Sequence, residues 1–118
     1  MKNILRSFKF AFEGVKAVIK EEQNVRIHLV IMLIAIIAGI VFSISYLEWI
    51  AIIFSIGFVF ALEIINTAIE NLADFVSPDK HQKIKKIKDL CAAAVLTGAI
   101  AALIIGGIVF LPKILAFI

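Results

Sequence analysis

The chain has 118 residues, 63% of them hydrophobic, with a mean hydropathy of +1.09. A water-soluble domain is about 45–50% apolar, so a large soluble core is excluded and a bilayer is the expected solvent. The net charge of +3 comes in clusters, the single cysteine, Cys91, rules out an internal disulfide, and the length allows one domain at most.

The first expected element is an amphipathic helix over residues 3–22. Phe8, Phe12, Val15 and Ile19 recur at helical spacing, and Lys9, Glu13, Lys16 and Lys20 follow one residue on. A basic polar face opposite an aromatic apolar face suits a helix lying in the membrane interface. Charges recur up to Arg26, so no signal-peptide core is expected here.

A first transmembrane helix is expected at about 26–45. Ile27 to Leu47 carries no charged side chain, and a bilayer core needs about 20 helical residues. His28, at its start, reads as an interfacial hydrogen-bonding group. Ser43, Ser45 and Tyr46 mark the far end, Glu48 is expected to cap the next helix, and Trp49 to sit in the aromatic belt. The short connection makes the first two spans antiparallel neighbours.

The second span is expected at about 48–74, followed at Ser77-Pro78-Asp79 by a turn signal. A basic cytoplasmic loop over 75–89 holds Lys80, Lys83, Lys85, Lys86 and Lys88. The third span, about 90–111, is free of charge, and Pro112 is expected to end it. Its small residues, among them Ala92, Ala93, Ala94, Gly98, Ala101 and Ala102, allow close helix packing. Six Lys and Arg residues precede the first span, five lie between the second and third, and only Lys113 follows. The positive-inside rule then puts the N-terminus and the 75–89 loop in the cytoplasm and the C-terminus outside. The expected fold class is all-α and integral to the membrane, with several passes.

The second span carries an unusual load. Glu63, Asn66, Thr67, Glu70 and Asp74 fall within roughly 100° of arc on one helix face. An intramembrane carboxylate costs at least about 2.5 kcal/mol on insertion scales, whereas an interhelical hydrogen bond returns only about 0.6–2 kcal/mol. Packing alone does not offset that load, so the stripe is read as functional. Glu22 ends the amphipathic helix, and Lys88 and Asp89 open the third span, all at the same membrane surface. Carboxylates with an amide are hard oxygen ligands of the kind Mg²⁺ takes beside substrate phosphates, and a lysine pairs with phosphate as a point charge. Glu22, Glu70, Asp74, Lys88 and Asp89, with Asn66 and Glu63 below, therefore point to a metal–nucleotide site. Glu63 lies deeper, between apolar neighbours, where a carboxylate suits a general base acting on a hydroxyl presented from the bilayer. No Walker or protein-kinase motif is present; phosphoryl transfer asks mainly for positioning and charge neutralisation, so another scaffold can supply it.

The segment E-I-I-N-T-A-I-E-N-L-A-D, Glu63 to Asp74, resembles the signature of the prokaryotic diacylglycerol kinase family, which includes undecaprenol kinases. The E-x-x-x-R of Glu22 to Arg26 and the K-D-x-x-A-A-A-V-L from Lys88 extend the resemblance over nearly the whole chain. The resemblance implies ATP-dependent, Mg²⁺-dependent phosphorylation of a membrane lipid alcohol, diacylglycerol or undecaprenol. It implies a homotrimer with active sites between protomers. It implies that Glu63 accepts the proton, that Glu22 and Glu70 bind metal, and that Asn66 and Asp74 line the site. Lys88 and Asp89 match nucleotide-binding positions, and the loop of Asp79, Lys80 and His81 lies where the family closes over the nucleotide. Phe10 stands where some members have a tyrosine near the nucleotide. The R-I-H of Arg26 to His28, the L-E-W of Leu47 to Trp49 and the F-L-P-K of Phe110 to Lys113 resemble the undecaprenol kinase branch. No nucleic-acid partner is expected. The alternative is a small oligomeric proton or ion pathway that uses the intramembrane acids as a relay; a metal cluster at one surface only, with Lys88 and Asp89, argues against it.

Overall fold

The computed structural model describes residues 1–79 and 81–118, so Lys80 lies outside the described residues. The described chain is all-helical: α1 (Lys2–Glu21), α2 (Gln23–Val41), α3 (Tyr46–Val76) and α4 (Gln82–Phe117). The last three are long and apolar enough to cross a membrane.

The chain turns at Glu22, whose extended backbone (φ −111°, ψ 115°) separates α1 from α2. Arg26 holds that corner. Its Nη1 donates to the carbonyls of Ile19 at 2.8 Å and Lys20 at 3.0 Å, filling acceptors that a helix end leaves open. Val18 and Val25 are buried on either side of the corner. The apolar stripe of α1 divides there: Val15 and Ile19 are half-buried, while Phe8 and Phe12 stay exposed. Lys16 folds over Phe12, with Nζ 5.1 Å from the ring centroid.

At the other end of α2 the chain reverses in four residues. Ser43 takes a left-handed conformation (φ 51°). Ser45 and Glu48 then form a reciprocal cap: Glu48 N donates to Ser45 Oγ at 3.2 Å, and Ser45 N to Glu48 Oε1 at 3.0 Å. Glu48 thus caps α3 as expected, and its second oxygen accepts from Lys113 Nζ at 2.9 Å. Ile44, Ile52 and Val109 form the core of this end, with Trp49, Phe42 and Phe110 packed around it. Gly39 admits the indole: a Cβ there would lie 2.6 Å from Trp49 Cη2.

α3 has 31 residues, about 46 Å at 1.5 Å per residue. Its buried seam runs Ile52, Ser55, Val59, Glu63 and Thr67, the three-and-four spacing of one helix face. The seam is apolar near the Trp49 end and polar beyond Val59. α4 packs along α3 more extensively than any other pair of helices meets. Gly98 makes the approach possible, since a Cβ there would lie 2.6 Å from Leu62 Cδ1.

Two expected boundaries move. Only 77–81 separates α3 from α4, so most of the expected 75–89 loop is helical. His81 caps α4, its Nδ1 accepting from Lys83 N at 3.1 Å. Ile84 and Ile87 then line an apolar groove with Ile69, Leu72, Ala73 and Val76 of α3, so the basic segment carries an apolar stripe at helical spacing. Pro112 does not end the helix, which continues to Phe117. Proline removes one amide donor and crowds the carbonyl four residues back. Gly107, Ile104, Ile108 and Leu111 line an open groove beside it.

Candidate functional site

The polar stripe of α3 faces inward at its deep end and outward at its surface end. Glu63 is 4% exposed and Thr67 5%; Asn66 and Glu70 are half-buried, and Asp74 is exposed. Thr67 Oγ1 donates to the Glu63 carbonyl at 3.0 Å, an i−4 bond that satisfies the hydroxyl within the helix. The Glu63 side chain looks across to α2, where His28 Nδ1 lies 2.9 Å from Glu63 Oε1. The contact is close but off line for a hydrogen bond, and His28 Nδ1 is buried with no other partner.

One turn nearer the surface, Asn66 Nδ2 donates to Glu70 Oε1 over a long 3.4 Å. The amide nitrogen steadies the Glu70 carboxylate and leaves Asn66 Oδ1 buried and unpartnered. Glu22 meets the stripe from the α1–α2 corner. Burial pushes its carboxyl above the usual range, and the charges of Glu70, Glu63 and Glu21 push it further. Asn66 and Glu70 are thus joined directly, and Glu22 lies within reach of the charges of Glu70 and Glu63. Asn71 adds a tie that the sequence did not reveal, its Nδ2 donating to Glu21 Oε2 at 3.2 Å and joining α3 to α1.

At the surface, Lys88 Nζ reaches Asp74 Oδ1 at 2.6 Å, bridging α4 to α3. Asp89 instead accepts from Lys85 at 2.8 Å along α4. Asp79 is exposed in the 77–81 turn, its carbonyl accepting from Ser77 Oγ at 3.2 Å. His81 serves as the α4 cap, and Phe10 is 61% exposed on α1.

The donor chemistry can be tested against Mg²⁺. Among the described residues no group of three or more His, Cys, Asp or Glu side chains is placed to hold a metal alone. The carboxylates of Glu22 and Glu70 and the free Asn66 oxygen make a smaller set of hard donors. Burial first, and then the charge of Glu70, raise the Glu22 carboxyl, and a bound cation would offset both. Mg²⁺ commonly takes one or two carboxylates and completes its shell with water and phosphate, so the residues present fit that ion.

Comparison with known proteins agrees with the signature. The prokaryotic diacylglycerol kinase family matches residues 9–110. An undecaprenol kinase of Bacillus subtilis is 34% identical over 114 residues, covering 97% of this chain and 93% of the relative. A diacylglycerol kinase of Synechocystis is 37% identical over 118 residues, covering 97% of this chain and 66% of the relative. A diacylglycerol kinase of Haemophilus influenzae is 28% identical over 109 residues, with 92% of both chains covered. The match takes in the corner at Glu22, the whole polar stripe and the head of α4, and by it the chain belongs to the prokaryotic diacylglycerol kinase family and is a lipid kinase.

Proposed function

We propose that the chain transfers the γ-phosphoryl group of Mg-ATP to the hydroxyl of a membrane lipid alcohol, diacylglycerol or undecaprenol, with Glu63 as general base. The observation that carries this is a buried carboxylate set one to two turns below a half-buried pair, at the end of a membrane-spanning helix. From Trp49 along the α3 axis, Glu63 lies about 21 Å, Glu70 about 32 Å and Asp74 about 38 Å. With Trp49 at one interface and a hydrocarbon core of about 30 Å, Glu63 falls inside the core, Glu70 at its edge and Asp74 beyond. A lipid hydroxyl comes to Glu63 from within the bilayer, and a nucleotide to Glu70 and Asp74 from the water.

Glu63 holds the hydroxyl and takes its proton as the oxygen attacks phosphorus; the bond to the departing nucleoside diphosphate breaks. Asn66 steadies Glu70 and offers its free oxygen beside it. Glu22 and Glu70 would hold Mg²⁺, which when bound neutralises charge on the phosphates. Lys88 would exchange Asp74 for a phosphate oxygen, and Asp79, Lys80, His81, Asp89 and Phe10 would complete the nucleotide side. The positive-inside rule puts this end of the molecule in the cytoplasm, where the nucleotide is. The α1 aromatics Phe8 and Phe12 would lie in the interface. The assembly would be a homotrimer with each site completed by a neighbouring protomer. The family match favours this reading over an ion pathway.

The test is phosphate transfer from labelled Mg-ATP by the purified protein in mixed micelles, with diacylglycerol and undecaprenol side by side. Phosphorylated lipid is the expected product, and the ratio of the two products names the acceptor. No product from either, with folded protein, overturns the proposal.

A further inference from the structure

We propose that His28 is the positioning residue and proton acceptor of Glu63, a role that rests on Glu63 being the general base. Glu63 takes up a proton in each turnover, yet it is buried on the α3 seam and has to lose that proton before the next. Of the described side chains, His28 is the polar group against it, with Nδ1 2.9 Å from Oε1. Nδ1 is itself buried and has no hydrogen-bond partner, so nothing else engages that nitrogen. The His28 side chain is 24% exposed against 5% for Glu63, and it sits in the second turn of α2, close to the surface corner at Glu22. The pair thus runs from the buried carboxylate toward the α1–α2 corner.

His28 stands against Oε1, which leaves Oε2 for the lipid hydroxyl. In the forward reaction the hydroxyl proton moves to Glu63 as the new O–P bond forms and the bond to the nucleoside diphosphate breaks. The proton then passes from Glu63 to neutral His28 Nδ1, and the imidazolium gives one proton up to water. One proton enters and one leaves, and both groups return to their starting charge. An imidazole can carry that proton at neutral pH; an amide of similar reach cannot.

The chain has two histidines, His28 and His81, so ¹⁵N-labelled imidazole signals are simple to assign. Glu63→Gln is expected to move the His28 ring signals and leave those of His81. His28→Asn, which can still place an amide near Oε1, is expected to lower kcat about tenfold to a hundredfold. The KM values for Mg-ATP and lipid should stay within about twofold, and added imidazole should restore part of the rate in His28→Ala. Helicity and nucleotide binding of each variant show that the protein is folded. Parental kcat in His28→Asn beside an inactive Glu63→Gln overturns the role of His28 and leaves Glu63 as base. Loss of rate in His28→Ala with no response to imidazole overturns the proton transfer. An active Glu63→Gln overturns the base and this inference together.

Discussion

Replacing Gly39 with alanine tests the α2–α3 packing directly. The new Cβ would lie 2.6 Å from Trp49 Cη2, 2.9 Å from Cζ2 and 3.1 Å from Ile44 Cδ1. Carbon atoms in good contact sit about 3.5–4.0 Å apart, so the indole has to retreat about 1 Å. An indole has no flexible end to give way, and Trp49 packs against the Ile44–Ile52–Val109 core. Overpacking of this kind costs about 1–3 kcal/mol, and exchanging glycine for alanine inside a helix returns up to about 1 kcal/mol. A net destabilisation of about 1–2 kcal/mol is expected. Denaturant unfolding in mixed micelles, followed by circular dichroism, measures it, and Trp49 fluorescence reports on the contact because the chain has one tryptophan. Trp49→Phe removes the atoms that collide, so the double variant should be more stable than the sum of the single changes by about 1 kcal/mol. Kinase activity of Gly39→Ala, assayed well below its unfolding range, should stay near parental, since Trp49 is about 21 Å from Glu63 along α3. Unaltered stability in Gly39→Ala, or independent addition of the two changes, would refute the packing argument.

Four other outcomes follow from the site. Glu63→Gln should lower turnover by about 10²–10⁴-fold while Mg-nucleotide binding persists; parental turnover contradicts the base assignment. Glu70→Gln should shift the Mg²⁺ dependence of the rate to higher concentration, and an unchanged titration contradicts its role as ligand. Glu22 carries a carboxyl raised by burial and by Glu70, Glu63 and Glu21, so the folded protein binds that proton more tightly than the unfolded chain. In EDTA, stability should be greatest below the ordinary carboxylate range and should fall as pH rises through the raised value. Glu22→Gln should flatten that fall, and parallel curves for the two proteins would remove Glu22 as its source. Topology reporters should place the 77–81 turn in the cytoplasm and the C-terminus outside; the reverse would overturn the charge-based orientation.

Helix number and the polar stripe were legible because both are local. Apolar runs of about 20 residues announce spans, and one turn of helix fixes which of Glu63, Asn66, Thr67 and Glu70 share a face. Glu48 was legible as a cap for the same reason, its partner Ser45 being three residues away. The boundaries of α4 were not. Five lysines made 80–88 look like loop, and Ile84 and Ile87 show their purpose only once α3 supplies the facing Ile69, Leu72 and Val76. Pro112 misled because one lost amide donor and one crowded carbonyl are a local cost, and α4 resumes beyond them. His28 read as a lone interfacial group, since its contact with Glu63 joins residues 35 positions apart through the packing of α2 on α3. The Asn71–Glu21 bond, across 50 positions, was hidden in the same way.

The buried seam of α3 has a consequence for how this protein can change. Ile52, Ser55, Val59, Glu63 and Thr67 share one packing line, so the carboxylate belongs to the same jigsaw as the hydrophobic contacts below it. A larger or smaller side chain at Val59, or at Gly98 opposite Leu62, shifts the helix that aims Glu63. Selection for thermal tolerance by filling that line therefore acts on turnover as well, and variants that gain one should tend to lose the other. Second-site changes that restore activity should then cluster along the seam, on α2 and α4, more than among the surface lysines.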